Sequence, residues 1–87
     1  MRVCVLYRPN TEQARKVEEY AHDFEKAHSR AIELIDMDTP QGVAFIELYD
    51  ALTNPTILAL ATDGQLLAMW PGPELPLMQE VAGYLAG

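Results

Sequence analysis

The chain has a single cysteine, Cys4, in 87 residues. One thiol excludes an internal disulfide, dithiol–disulfide exchange within the chain, and a four-thiolate metal site. Cys4 stands inside Val3-Cys4-Val5-Leu6. An apolar setting of that kind raises a thiol pKa and leaves the group inert. No apolar run approaches the ~20 residues of a membrane-spanning helix. Basic residues are scarce: six Lys and Arg stand against thirteen Asp and Glu, for a formal net charge of −7. That balance argues against nucleic acid and anionic membrane surfaces as partners. The shortage is also uneven. Arg2, Arg8, Arg15, Lys16, Lys26 and Arg30 all lie in the first thirty positions, and residues 31–87 carry eight acids and no Lys or Arg. A solvated charged helix followed by an acidic remainder accounts for this. The sharper alternative is a charge-separated surface that orients a basic partner.

What is present is a chain that can fold. Apolar residues make up 49%, well outside the disordered range, and the length allows one domain, residues 1–87. The first residues, MRVCVLYRPNTEQ, carry one Arg and a short apolar stretch but no small-residue cleavage site. They read as a strand and not as a signal peptide, which leads us to expect a cytoplasmic protein.

Hydrophobic periodicity divides the chain into seven elements. Residues 3–7 are a continuous apolar run, as in a strand buried on both faces. Asn10 and Thr11 are good N-cap residues, and Asn10 with Gln13 forms a capping-box-like pair. Ala14, Val17, Tyr20, Ala21, Phe24 and Ala27 then recur at helical spacing, predicting an amphipathic helix over about 11–28. A second strand is expected at 31–36, interrupted by Glu33 and Asp36. Thr39-Pro40 reads as an N-cap with Pro at N1. The helix it opens runs to about Leu52, with Val43, Ile46 and Tyr49 inward and Gly42 weakening its first turn. After the break at Asn54-Pro55, residues 56–61 form another wholly apolar strand. Asp63-Gly64 is a tight-hairpin signal leading into a return strand at 65–70. A last helix is expected at 75–85, with Leu77, Met78, Val81, Tyr84 and Leu85 packing. The fold class is thus α/β, in the order β-α-β-α-β-β-α. The first crossover is right-handed and parallel. The two all-apolar strands take the centre, giving a four-stranded mixed sheet of order 2-1-3-4 with helices on both faces.

Three stretches carry a resemblance to the thioredoxin-like fold in its short, glutaredoxin-like form, over nearly the whole chain. Tyr7-Arg8-Pro9-Asn10-Thr11-Glu12-Gln13-Ala14-Arg15 resembles the glutaredoxin stretch of an aromatic, Arg-Pro, one residue, Cys-x-x-Cys and a basic residue. Ile32-Glu33-Leu34-Ile35-Asp36-Met37-Asp38 resembles a second strand ending in Asp-x-Asp. Asn54-Pro55-Thr56-Ile57-Leu58, then Asp63-Gly64 and Trp70-Pro71-Gly72, is similar to the cis-proline, strand, hairpin and terminal glycine of thioredoxin. On this register Thr11 and Ala14 hold the two cysteine positions. Thioredoxin chemistry needs a low-pKa thiolate at a helix N-terminus, and a threonine hydroxyl keeps its proton there. The resemblance therefore implies a scaffold without its dithiol. It also implies a cis peptide bond before Pro55.

The function expected from these residues is a non-catalytic binding or adaptor module. Its groove would be formed by Arg8, Asn10, Thr11, Asn54 and Pro55 and would take a protein or peptide partner, with no required cofactor and with glutathione as a candidate ligand. The backbone before Pro55 would pair with an extended segment. Two other readings stand beside it. Thr11 could serve a glutathione-dependent activity, or the edge strand at 65–70 could make the chain a structural dimer; monomer and weak homodimer are both open. For each residue a plainer role is also available: Thr11 caps the helix, Glu12 satisfies its dipole in place of a bound anion at Arg8, and Pro55 shapes a loop. Glu33, Asp36 and Asp38 lack the glycine-punctuated loop of a hard-cation site and read as a solvated strand end. His22 and His28 have the wrong spacing for a paired ligand set and read as surface residues. Met37, Met69, Met78 and Trp70 read as packing residues.

Overall fold

The computed structural model describes residues 1–85. Four strands and three helices follow in the expected order: β1 (Arg2–Tyr7), α1 (Gln13–His28), β2 (Glu33–Asp36), α2 (Pro40–Tyr49), β3 (Thr56–Leu60), β4 (Leu66–Pro71) and α3 (Met78–Ala82). The sheet order is β2-β1-β3-β4. β1 pairs parallel with β2, Val5 opposite Leu34, and antiparallel with β3, Val5 opposite Ile57. β3 and β4 form an antiparallel hairpin.

The central strands are apolar throughout because both of their faces are covered. Val3, Val5, Tyr7, Ile57 and Ala59 face one core with Ala14, Val17, Ala21 and Phe24 of α1 and Val81 of α3. The alternate residues Cys4, Leu6, Leu58 and Leu60 face a second core with Ile35, Met37 and Ala51, against which Phe45, Ile46 and Tyr49 of α2 pack. β4 alternates half-buried and exposed residues, the pattern of an edge strand. A register shift at Ala59/Leu60 and Pro71 at its end interrupt that edge, two devices that blunt strand-to-strand association.

Several boundaries differ from the sequence reading. The last helix is one turn and a half, not 75–85. Pro76 has no N–H to donate and biases Leu75 away from helical angles, so residues 73–77 pass as loop and Leu77 stays exposed. Tyr20 ties that loop down through a hydrogen bond from its hydroxyl to the Pro76 carbonyl, 2.8 Å. α2 stops at Tyr49 instead of Leu52 because Asp50 takes left-handed angles (φ 57°), a helix-ending conformation open to Asp at modest cost. Val43 lies outward, and Phe45 takes the inward place assigned to it. Gly42 does not merely weaken a turn. A Cβ there would run into the Asp36 carbonyl oxygen and stand 2.8 Å from Met37 Cα. His22 is exposed as expected, but His28 is half-buried with its ring 4.8 Å from that of Phe24. Met37 is buried and Trp70 packs edge-on against Tyr84, whereas Met69 is partly exposed.

Cys4 has no exposed surface, and burial pushes its thiol pKa up to about 11 from 9.0. Its protonated form is therefore favoured in the folded state. The associated stability, about 2–3 kcal/mol for a shift of this size, is fully present below pH 9 and is lost as pH rises through 11. At pH 8 the native thiol is expected to react with a disulfide reagent only as fast as the protein unfolds. Immediate stoichiometric labelling without denaturant would contradict that burial.

Candidate functional site

The expected groove lies where β1 ends, α1 begins and the chain re-enters the sheet at β3. Pro9 cannot continue the β1 ladder, so the chain turns out at Arg8. The Arg8 N–H donates to Asn54 Oδ1 at 3.2 Å. The other end of the same carboxamide, Nδ2, donates to Thr11 Oγ1 at 3.4 Å. The Thr11 hydroxyl in turn donates to the Arg8 carbonyl at 2.7 Å. These contacts close a ring of hydrogen bonds in which Asn54 latches the 8–11 turn to the loop entering β3. The Asn54–Pro55 peptide bond is cis. Pro55 is buried, and its carbonyl accepts the Gly72 N–H at 3.0 Å, fixing the far end of β4 to the same loop. Thr56 is fully buried, its hydroxyl satisfied by the Thr53 carbonyl.

Arg8 reaches sideways to Asp38, Nε to Oδ1 3.3 Å, both side chains about half exposed. In that setting the pair is worth at most ~1 kcal/mol, so it aims the guanidinium without consuming its charge. Asp38 is held by its own N–H bonding to Asp36 Oδ1 at 2.8 Å, and Glu33 is engaged by Arg2. The three carboxylates thus have separate partners at one strand end. Among the described residues, no three His, Cys, Asp or Glu side chains converge as a metal site would require.

Arg8, Thr11 and Asn54 are therefore in contact, with Pro55 next to Asn54 in the chain, and Asn10 sits exposed in the intervening turn. The roles differ in two respects. Neither Asn10 nor Thr11 caps α1: its N-cap position is Glu12, with no side-chain cap hydrogen bond. The Thr11 hydroxyl instead turns back on Arg8, whose carbonyl the Arg8–Thr11 turn brings within 2.7 Å of it. Sequence reasoning missed the Asn54 side chain as the latch and Asp38 as the partner of Arg8. Both contacts span thirty or more positions, and nothing local marks them.

Chemically the site offers hydrogen bonds and one guanidinium. The hydroxyl proton at position 11 is engaged by the Arg8 carbonyl, and Ala14 is a buried methyl. Cys4 lies within β1, facing the α2 side of the sheet. The Asn54 main chain makes no hydrogen bond among the described residues, which leaves one donor and one acceptor without a protein partner beside the hydrogen-bonded ring. A separate cleft of about 330 Å³ lies at the other end of α1, between Phe24, His28, Arg30 and Leu85.

No family model matches the sequence, and no curated relative does. Solved structures do match. Thioredoxin 1 from the thermophilic eubacterium Thermosipho africanus is 14% identical, with a TM-score of 0.67 over 98% of this chain and 90% of that one. A structure described only as a malarial protein is 15% identical, with a TM-score of 0.63 over 98% and 94%. At such identity the likeness concerns backbone path alone. With the sheet order and the cis bond before Pro55 already in place, it establishes that this chain has the thioredoxin-like fold.

Proposed function

We propose that the chain is a non-catalytic binding module that takes an extended peptide across the groove of Arg8, Asn10, Thr11, Asn54 and Pro55. The observation that carries this reading is the division of labour within Asn54. Its side chain holds the two loops together, and its main-chain N–H and C=O stay unpaired beside the hydrogen-bonded ring. An extended partner satisfies both groups by strand-like pairing. Arg8 supplies attraction for an acidic group at the same place, a carboxylate of glutathione included. A thiol-activating role for Thr11 draws less support, because a hydroxyl engaged by a carbonyl must give up that bond to serve a sulfur.

The test is an amide chemical-shift titration of the full chain with glutathione and with a seven-residue Thr/Val peptide. Shifts are expected to centre on residues 8–11 and 54–56. Asn54→Ala is expected to weaken the stronger of the two ligands about tenfold, because it releases the two loops by removing one part-buried and one exposed hydrogen bond between them. It should also cost about 1–2 kcal/mol of stability by leaving the Arg8 N–H unpaired. Saturating ligand with no response in either segment would remove the groove from consideration.

A further inference from the structure

The outer face of α2 contradicts its position. On α1, a helix of the same protein, the outward residues, among them Arg15, Lys16, Glu19, His22, Asp23 and Lys26, are charged or polar except Ala27, the face expected of a helix against water. On α2 the outward residues are Pro40, Gln41, Val43, Ala44, Glu47 and Leu48, four of them apolar beside one amide and one acid. Leu48 is 70% exposed and Val43 45%, and Leu52, just beyond the helix, is 72% exposed. Only Gly42 of this helix is fully buried. Large apolar side chains on the outer face as well as the inner one suit a covered helix, and here Val43, Leu48 and Leu52 have no cover.

A second, independent feature lies at the same helix. Its C-terminus carries the partial negative charge of the macrodipole, where a cation is stabilising. α1 meets this with Lys26 and His28 in its last turn. α2 has no basic residue there, and places Glu47 in that turn with Asp50 as its C-cap. No Lys or Arg follows residue 30 in the sequence.

We propose that this face is a docking surface for a basic amphipathic helix of a partner protein. The partner's leucine-like stripe covers Val43, Ala44 and Leu48, and its Lys or Arg residues face Glu47 and Asp50. The small Ala44 beside Leu48 provides the groove and ridge that helix packing requires. Charge disfavours a second copy of the chain. A contact between two α2 faces brings only acids to it, Glu47 and Asp50 from each copy, on chains of net charge −7. The α1 segment offers no basic counterface either, since residues 12–28 hold five acids and three bases.

The experiment is an amide chemical-shift titration of the full chain. Its probe is an amidated 14-residue leucine/lysine peptide with leucines at i, i+3, i+4 and i+7 spacing. A shuffled peptide of equal composition serves as control. Shifts should centre on residues 43–52, with the shuffled peptide at least tenfold weaker. Leu48→Gln with Leu52→Gln should weaken the patterned peptide about tenfold, and Glu47→Gln severalfold. Both variants should retain the wild-type melting temperature, because these side chains are exposed. Equal binding of the two peptides, shifts scattered over acids elsewhere, affinity unchanged in the variants, or concentration-dependent dimerisation through residues 43–52 would each overturn the proposal.

Discussion

Replacing Gly42 with alanine is expected to cost at least about 3 kcal/mol, and with valine to leave no cooperative unfolding transition at 25 °C. Helix propensity alone predicts the opposite sign, a gain of about 0.5–1 kcal/mol for Gly→Ala inside a helix. Sterics override it. The new Cβ would collide with the Asp36 carbonyl oxygen and the Met37 Cα, main-chain atoms that cannot rotate aside as a flexible side chain would. Relief requires lifting the first turn of α2 off β2. That movement breaks the cap in which the Gly42 N–H donates to Thr39 Oγ1 and the Thr39 hydroxyl donates to the Asp36 carbonyl. The loss is large against the ~5–10 kcal/mol total of a domain this size. It also reaches the groove, since Asp38 lies between the two displaced elements and aims Arg8. Gly83→Ala is the control, because its Cβ would meet nothing nearer than 3.4 Å at an ordinary φ of −57°. Urea unfolding of the two variants decides the matter. A Gly42→Ala protein as stable as Gly83→Ala would show that α2 does not seat on β2 as described.

The largest functional change should follow from Thr11→Cys combined with Ala14→Cys. The Ala14 N–H donates to the Thr11 carbonyl at 3.1 Å. A turn of that kind brings its first and fourth Cα atoms within 7 Å, inside the range a disulfide spans. A thiol introduced at position 11 would stand beside the uncapped start of α1, where orphan N–H groups favour the thiolate. The double variant is expected to form an intramolecular disulfide and to accelerate insulin reduction by dithiothreitol, with the wild type and both single variants at background. The thiol at position 11 should alkylate with an apparent pKa below the ordinary 8.5 of a free cysteine; Glu12, one residue on, limits how far. A pair that stays reduced under mild oxidant would show that these two positions are misregistered against the dithiol of thioredoxin.

The two variants also separate two kinds of information. Gly42 was visible as a helix glycine, and its necessity was not. The close approach of α2 to Asp36 is a fact of how two elements meet. Thr11 and Ala14 are set at the two cysteine positions by the resemblance to the glutaredoxin stretch, which rests on residues adjacent in the chain.

The order of elements, the central place of residues 3–7 and 56–60, the Asp63-Gly64 hairpin and the single inert thiol were all legible in the linear chain. Each depends on local periodicity, turn chemistry or a count, and those are properties of neighbours in sequence. Tertiary structure alone decided that the carboxamide of Asn54 joins Arg8 and Thr11, that Asp38 holds Arg8, and that the Thr11 hydroxyl faces a carbonyl instead of capping a helix. It also decided that an apolar helix was left with one bare side. Such outcomes depend on which of many polar or apolar groups arrive at the same point once the sheet closes. Residue type restricts that choice without making it.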